Sequence, residues 1–291
     1  MINIEDLKSD NTGESLIIDY AKIFKDSYIN PSEKIRQQPI ALSYGEKPYK
    51  KVMYPVPFGS YGDFSCLVGA SKSGKTFLKS AMEAVYLGGN CGEYFPSMKA
   101  HNNMDKVVVA FDTEQSRFHT QRVTQRVLEM VGNDDGRYNS FSLRSYTAKE
   151  RFQFIDWVVY ESEFKNQIGL MSIDGFVDLL DDFNNLEEST KLTQKLLEWT
   201  GKEMMHCTGI LHKNFGSEKP VGHIGSSVLK KAETAAFVDE DGKNKTVECK
   251  YSRNQPFENF MYYIDEDNSL PYEIFTGEKL PFNKETTNKN Y

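Results

Sequence analysis

Phe64-Ser65-Cys66-Leu67-Val68-Gly69-Ala70-Ser71-Lys72-Ser73-Gly74-Lys75-Thr76 is the stretch that decides the fold. Its first five residues are an apolar run of strand length. Its last eight fit G-x-x-x-x-G-K-[ST], a loop whose small residues let backbone N–H groups curl around phosphate oxygens. Thr76–Leu87 then reads as a helix, with Phe77, Ala81, Ala84 and Val85 inward. The chemistry needs this order. A helix N-terminus favours anions, Lys75 reaches the β- and γ-phosphates, and Thr76 holds Mg²⁺. Gly69, Ala70, Ser71, Lys72, Ser73, Gly74, Lys75 and Thr76 are therefore the expected nucleotide-binding residues, with ATP and Mg²⁺ as the expected ligands. In a chain this long the pattern arises by chance about once in a hundred.

Outward from the loop, strands and helices alternate. Strands are expected at Val107–Phe111, Tyr138–Leu143, Ile168–Ile173 and Met204–Leu211, and helices at Arg117–Val131, Lys149–Phe164 and Leu186–Thr200. Ala235–Val238, Thr246–Tyr251 and Asn259–Ile264 read as late strands, the last two antiparallel. The alternation implies a mostly parallel sheet with helices on both faces, ending in hairpins. Phe215–Lys231 reads mostly as a loop, because of Gly216, Gly222 and Gly225. Arg117, Arg122 and Arg126 share one helix, where a solvated face is the expected reading. Residues 1–49 are read as an N-terminal arm with a short helix at Leu16–Phe24, residues 50–265 as the core, and residues 266–291 as a polar tail with a disordered end.

Two carboxylates stand at strand ends. Asp174 follows an apolar strand, and a buried carboxylate needs a partner. Mg²⁺ or its water is the natural one beside a phosphate loop, and a helix cap is the alternative. Glu114 follows Phe111-Asp112-Thr113 and would orient or deprotonate an attacking water, if its strand lies beside that of the loop. The alternative is a solvated loop acid. Asp112 would point to the same side as Glu114 if the strand continued. Asp181 and Asp182 read as caps or part of a lid.

Composition bounds the rest. The 291 residues are 39% hydrophobic and 26% charged, with 35 basic against 42 acidic, so the chain is globular and its net charge is -7. That charge argues against coating nucleic acid with the whole surface and leaves room for a local basic site. No apolar run reaches 18 residues, and Met1–Asp10 has no signal-like pattern, so no membrane is expected and the cytoplasm is the default. Cys66, Cys91, Cys207 and Cys249 show no metal-ligand spacing, and buried thiols are expected at Cys66 and Cys207.

Taken in order, Gly69–Thr76, Phe111-Asp112-Thr113-Glu114, Ser172-Ile173-Asp174-Gly175, Gly209-Ile210-Leu211-His212-Lys213-Asn214, Gly222-His223-Ile224-Gly225-Ser226-Ser227 and Lys250-Tyr251-Ser252-Arg253-Asn254 resemble a RecA-like ATPase of the DnaB/RepA hexameric helicase superfamily, of the kind carried by mobile elements and plasmids. The resemblance covers about residues 50–265. It implies an α/β fold, a RecA-like P-loop NTPase core with a mostly parallel sheet and late antiparallel strands. It implies a Mg²⁺-dependent ATPase coupled to nucleic acid, a helicase or DNA-remodelling motor in replication or mobilisation. Its expected partners are single-stranded DNA, further copies in a homo-oligomer, a hexamer, and a primase or relaxase. Lys75, Glu114, Asp174, His212 and Arg253 become the catalytic residues, and Thr76 and Asp174 the metal ligands. His212 takes the place of a γ-phosphate sensor. Arg253, with Lys250 a weaker candidate, takes the place of a cation offered to a neighbour's nucleotide, and the loop Phe215–Lys231 faces the channel of a ring. The chain carries no recognisable primase-interacting domain before residue 50 and no helix-turn-helix after residue 265. A regulatory ATP switch acting on a protein, without DNA dependence, is the alternative function. A nucleotide-binding protein without turnover and a small-molecule kinase are further rivals.

Overall fold

The computed structural model describes residues 18–49, 51–102, 105–134, 136–214 and 216–275. The start of the helix expected at Leu16–Phe24, and the tail beyond residue 275, lie outside the described residues. The chain falls into two units, one ending at Gln37 and the other beginning at Gln38. In the first, α1 (Tyr20–Ser27) is capped by Asp19, whose carboxylate accepts from the Lys22 N–H at 2.9 Å. Its Tyr20, Ile23 and Phe24 side chains are exposed.

The second unit runs β1 (Ile40–Tyr49), β2 (Val52–Ser60), β3 (Phe64–Gly69), α2 (Lys75–Leu87), β4 (Met98–Ala100), β5 (Val107–Asp112), α3 (Arg117–Val131), β6 (Tyr138–Ser142), α4 (Ala148–Tyr160), β7 (Ile168–Asp174), α5 (Leu186–Glu203), β8 (His206–His212), α6 (Gly222–Lys231), β9 (Thr234–Asp241), β10 (Asn244–Ser252), β11 (Phe260–Ile264) and β12 (Pro271–Ile274). The main sheet has nine strands in the order β12-β11-β10-β9-β3-β8-β7-β5-β6. From β9 to β6 all neighbours are parallel, and from β9 to β12 all are antiparallel. This is the mixed α/β sheet expected from the alternation.

The period of two along β3 splits the core. Phe64, Cys66 and Val68 face one side of the sheet, against Leu192, Leu196 and Trp199 of α5. Leu67 faces the other, with Leu78 and Met82 of α2 and Leu42 and Phe58 of the small sheet. Cys66 and Cys207 are buried free thiols, as expected.

Four parts of the sequence reading need correction. β1 pairs with β2 and β4 in a three-stranded antiparallel sheet, so residues 40–49 belong to the core and not to an arm. Pro55 and Pro57 hid this hairpin. Proline is tolerated there because β2 is an edge strand. β12 pairs with β11, which carries the fold past residue 265. The stretch Phe215–Lys231 is not mostly loop, since its second half is α6. Ile224 and Val228, four apart, are buried against the α5 side of the core. Gly225 breaks the helical pattern on paper because a Cβ there would lie 2.8 Å from the Pro220 ring. Finally, β5 does not lie beside β3, because β8 and β7 intervene.

His206 opens β8 in full burial, with Nε2 2.9 Å from Ser65 Oγ and Nδ1 3.0 Å from the Ser60 carbonyl. Burial pushes the imidazole down to about 4. The unfolded chain takes up this proton near 6.5, so in the window from about 6.5 to 4 the unfolded state binds more protons and stability falls as the pH falls. Between about pH 7.5 and about pH 5 this group is expected to remove roughly 2 kcal/mol. Urea unfolding of the wild type and His206→Gln at both pH values checks this. Identical pH slopes for the two proteins would contradict it.

Candidate nucleotide site

The carboxyl ends of the parallel strands lie together, since Gly69 pairs with His212 and Asp112 with Asp174, and the pairing of Ile173 with Gly209 carries β8 past the end of β7. In open α/β sheets ligands bind just beyond such ends. Here a cavity of about 420 Å³ is lined by Ser71–Thr76, Glu114, Asp174 and His212, so the loop and three other sequence-derived candidates meet in one place.

The loop is shaped by close approach. Gly74 has φ 98° and caps α2, and a Cβ there would lie 2.5 Å from the Tyr262 hydroxyl oxygen. That hydroxyl donates to the Gly74 carbonyl at 2.8 Å, so β11 braces the loop. Lys75 is buried, and its Nζ donates to the Gly69 and Ala70 carbonyls at 3.0 and 2.6 Å. Burial lowers its pKa to about 8, against the pull of the Asp174 and Glu114 carboxylates. Ser73 Oγ is buried without a hydrogen-bond partner. Thr76 Oγ1 donates to Asp174 Oδ2 at 2.9 Å. Burial pushes the Asp174 carboxyl up to about 6. A hydroxyl and a carboxylate side by side form an oxygen donor pair that suits Mg²⁺, which keeps several waters. The left-handed backbone at Gly74 and the unpartnered Ser73 hydroxyl fit a phosphate cradle.

Glu114 follows β5, half-exposed, with Oε2 3.4 Å from His212 Nε2. The hydrogen bond to His212 holds its carboxyl below the usual glutamate range. The strand ends at Asp112 and does not continue to Glu114. The Asp112 carboxylate turns back to accept from the Glu114 and Gln115 N–H groups at 3.2 and 2.8 Å, which fixes the loop that aims Glu114. Asp181 and Asp182 lie in the turn before α5, where their N–H groups donate to Glu188.

Arg253, expected to serve a neighbour's nucleotide, does not line its own chain's cavity. Its guanidinium donates to Asp63 Oδ2 at 2.8 Å, and its N–H to the Glu233 carbonyl at 2.9 Å. Asp63 precedes β3, so this cluster sits at the far end of the strand from the loop. Lys250 donates to Glu218 at 2.6 Å and lies 4.5 Å from the centre of the Phe237 ring. The late-strand cation that does line the cavity is Lys245, at the start of β10. Only the β9–β10 turn at Asp241-Gly242-Lys243 would have signalled it.

Arg126 is the second cation the sequence reading missed. The expected solvated face is wrong at this position. Its guanidinium stacks 3.7 Å from the centre of the Phe77 ring, in the cavity wall, and donates to Ser80 Oγ at 3.3 Å. Its Nε is buried without a partner, and burial lowers its pKa to about 10. Val123 and Val127 dock α3 on the core, and that places Arg126 against α2 rather than in water.

Beneath the loop lies a buried charged network that no motif announced. Lys79 Nζ donates to Glu83 Oε1 at 2.9 Å, and both side chains are out of solvent. Glu83 also accepts from Ser172 of β7 and, at 3.1 Å, from the Tyr138 hydroxyl of β6. Burial opposes the Lys79 charge, yet the Glu83 and Asp174 carboxylates outweigh it and raise the ammonium above its ordinary value.

No protein-family model and no curated protein matches the chain. Among solved structures, a crystal structure of the RadB recombinase matches with a TM-score of 0.54 at 16% identity, covering 76% of this chain and 94% of that one. The likeness shows the fold, a RecA-like α/β P-loop core. It also corrects the narrower resemblance to the DnaB/RepA hexameric helicases, since the matched structure is a recombinase. The physical reason is that the first four quoted landmarks sit at the strand ends around the cavity, while Gly222–Ser227 lies in α6 and Lys250–Asn254 at the opposite end of the sheet. They identify the wider class without separating its branches. No helix among the described residues is long and apolar enough to cross a membrane.

Proposed function

We propose that the chain is a Mg²⁺-dependent ATPase whose turnover is coupled to single-stranded nucleic acid. The observation that carries the ATPase is the meeting of the loop, the Thr76–Asp174 pair and the Glu114–His212 pair in one cavity. The nucleic-acid coupling is supported by the recombinase fold of the matched structure. Backbone N–H groups of the loop and the Lys75 ammonium bind the triphosphate. Thr76 and Asp174 would hold Mg²⁺, which neutralises charge developing on the phosphoryl oxygens. Glu114, ionised at neutral pH, accepts a proton from water aimed at the γ-phosphorus. His212 holds that carboxylate in place and, on either side of it, senses whether the γ-phosphate is present. Self-association into an oligomer belongs to this reading, with the partner copy supplying charge to the open side of the cavity.

Steady-state ATP hydrolysis with and without oligo(dT) tests it. The wild type is expected to turn over ATP, faster with the oligonucleotide, and Lys75→Ala/Glu114→Gln to turn over none. Turnover surviving in the double variant would sink the mechanism. Turnover indifferent to the oligonucleotide would instead favour an ATP switch acting on a protein.

A further inference from the structure

We infer that a second cleft, next to the nucleotide cavity, takes a single strand of nucleic acid and transmits its occupancy to Glu114 through Asp112; the inference rests on the nucleic-acid coupling proposed above. The cleft has a volume of about 980 Å³ and lies between the first turns of α3 and the carboxyl end of β6 with its connection to α4. Arg117, Phe118, Arg144 and Tyr146 line it, with Ser140 and Ser142 at its base. In a chain with 42 acidic residues, none of its lining residues carries a carboxylate. Phe118 and Tyr146 are 64% and 54% exposed, so two large rings on the lining of one cavity are open to solvent. Neither the Arg117 nor the Arg144 guanidinium makes a side-chain hydrogen bond or ion pair among the described residues. Guanidiniums without a bonded partner suit phosphate oxygens, though the Arg144 charge also acts on the Glu114 carboxylate, and exposed rings suit the faces of unpaired bases. A duplex hides those faces, so the chemistry selects a single strand.

The link to catalysis is covalently short. Gln115 lines the nucleotide cavity and Ser116 lines the cleft. Thr120 lines the cleft too, and its Oγ1 donates to Asp112 Oδ2 at 3.0 Å. The other oxygen of that carboxylate accepts from the Glu114 and Gln115 N–H groups, and the Asp112 carbonyl accepts from the Leu143 N–H at 2.7 Å. Asp112 thus ties together both walls of the cleft and the backbone that aims Glu114. It is 4% exposed, so nothing from solvent competes for these bonds. A strand that pulls α3 and the Arg144–Tyr146 segment together moves Asp112, and Glu114 with it.

The test uses the full chain, a fluorescein-labelled oligo(dT) 20-mer, ATP and Mg²⁺. Phe118→Ala/Tyr146→Ala is expected to weaken binding, read by fluorescence anisotropy, at least about tenfold. Arg117→Gln is expected to weaken it and to lower the salt slope by about one. Both keep their basal ATP turnover and circular dichroism. Thr120→Val is expected to bind the oligonucleotide as the wild type does, while the ratio of stimulated to basal turnover falls towards one. If the wild type is bound and stimulated but the cleft variants bind within about twofold of it, the cleft is wrong and the coupling stands. If the variants lose only self-association, the cleft belongs to a second copy and the inference is overturned. If the wild type binds no oligonucleotide, the coupling itself falls, and the cleft falls with it.

Discussion

Glu114→Gln is expected to lower ATP turnover by roughly 10²–10⁴-fold while leaving ATP affinity near that of the wild type. The substitution keeps the size of the side chain and its approach to His212, and removes the basic oxygen. In the proposed function, binding falls to other groups: the loop N–H donors, Lys75, and the Thr76–Asp174 pair. A loss confined to kcat, with KM unchanged, is the signature of a group that acts only as water attacks. Single-turnover hydrolysis beside nucleotide binding by calorimetry separates the two quantities. A variant retaining more than about a tenth of wild-type turnover would remove Glu114 from the base role. His212→Ala gives a useful contrast. It leaves the carboxylate in place and removes the hydrogen bond that holds its pKa down, so its loss is expected to be the smaller one.

Lys79→Met is expected to destabilise the protein by about 3–5 kcal/mol, because it strands the buried Glu83 carboxylate without its cation. The ion pair is sealed under α2, with both side chains at or below 2% exposure, so water cannot replace the lost partner. For a domain of this size the thermal midpoint is expected to drop by on the order of 10 °C. The revertant is as informative as the lesion. Lys79→Met/Glu83→Gln removes both charges and still offers an acceptor to the Ser172 and Tyr138 hydroxyls, so most of the lost stability is expected to return. Urea unfolding of the three proteins measures this directly. If the double variant is no more stable than Lys79→Met, the pair acts through packing and not through charge.

These two experiments probe different kinds of information in the chain. The phosphate loop, the strand before it, the helix after it and the carboxylates at Glu114 and Asp174 were legible because each depends on local order. A tight loop needs small residues, a helix needs its period, and a strand end is marked where an apolar run meets an acid. The parallel half of the sheet followed from the same alternation. β1 and β2 were not legible, because prolines on an edge strand look like loop until the edge is known. α6 was lost to two glycines, one of which is required by the neighbouring Pro220 ring.

The sequence by itself determined the fold class and the residues at the mouth of the parallel strands, through spacing that works within a single strand–loop–helix unit. Only the tertiary structure decided which cations reach the nucleotide cavity. Lys245 and Arg126 line it, while Arg253 is tied to Asp63 at the opposite end of β3. The reason is geometric. A charged side chain on a late strand or a helix has the same local signature wherever it points. Its destination is set by strand order and helix docking, which place residues far apart in the chain against one another.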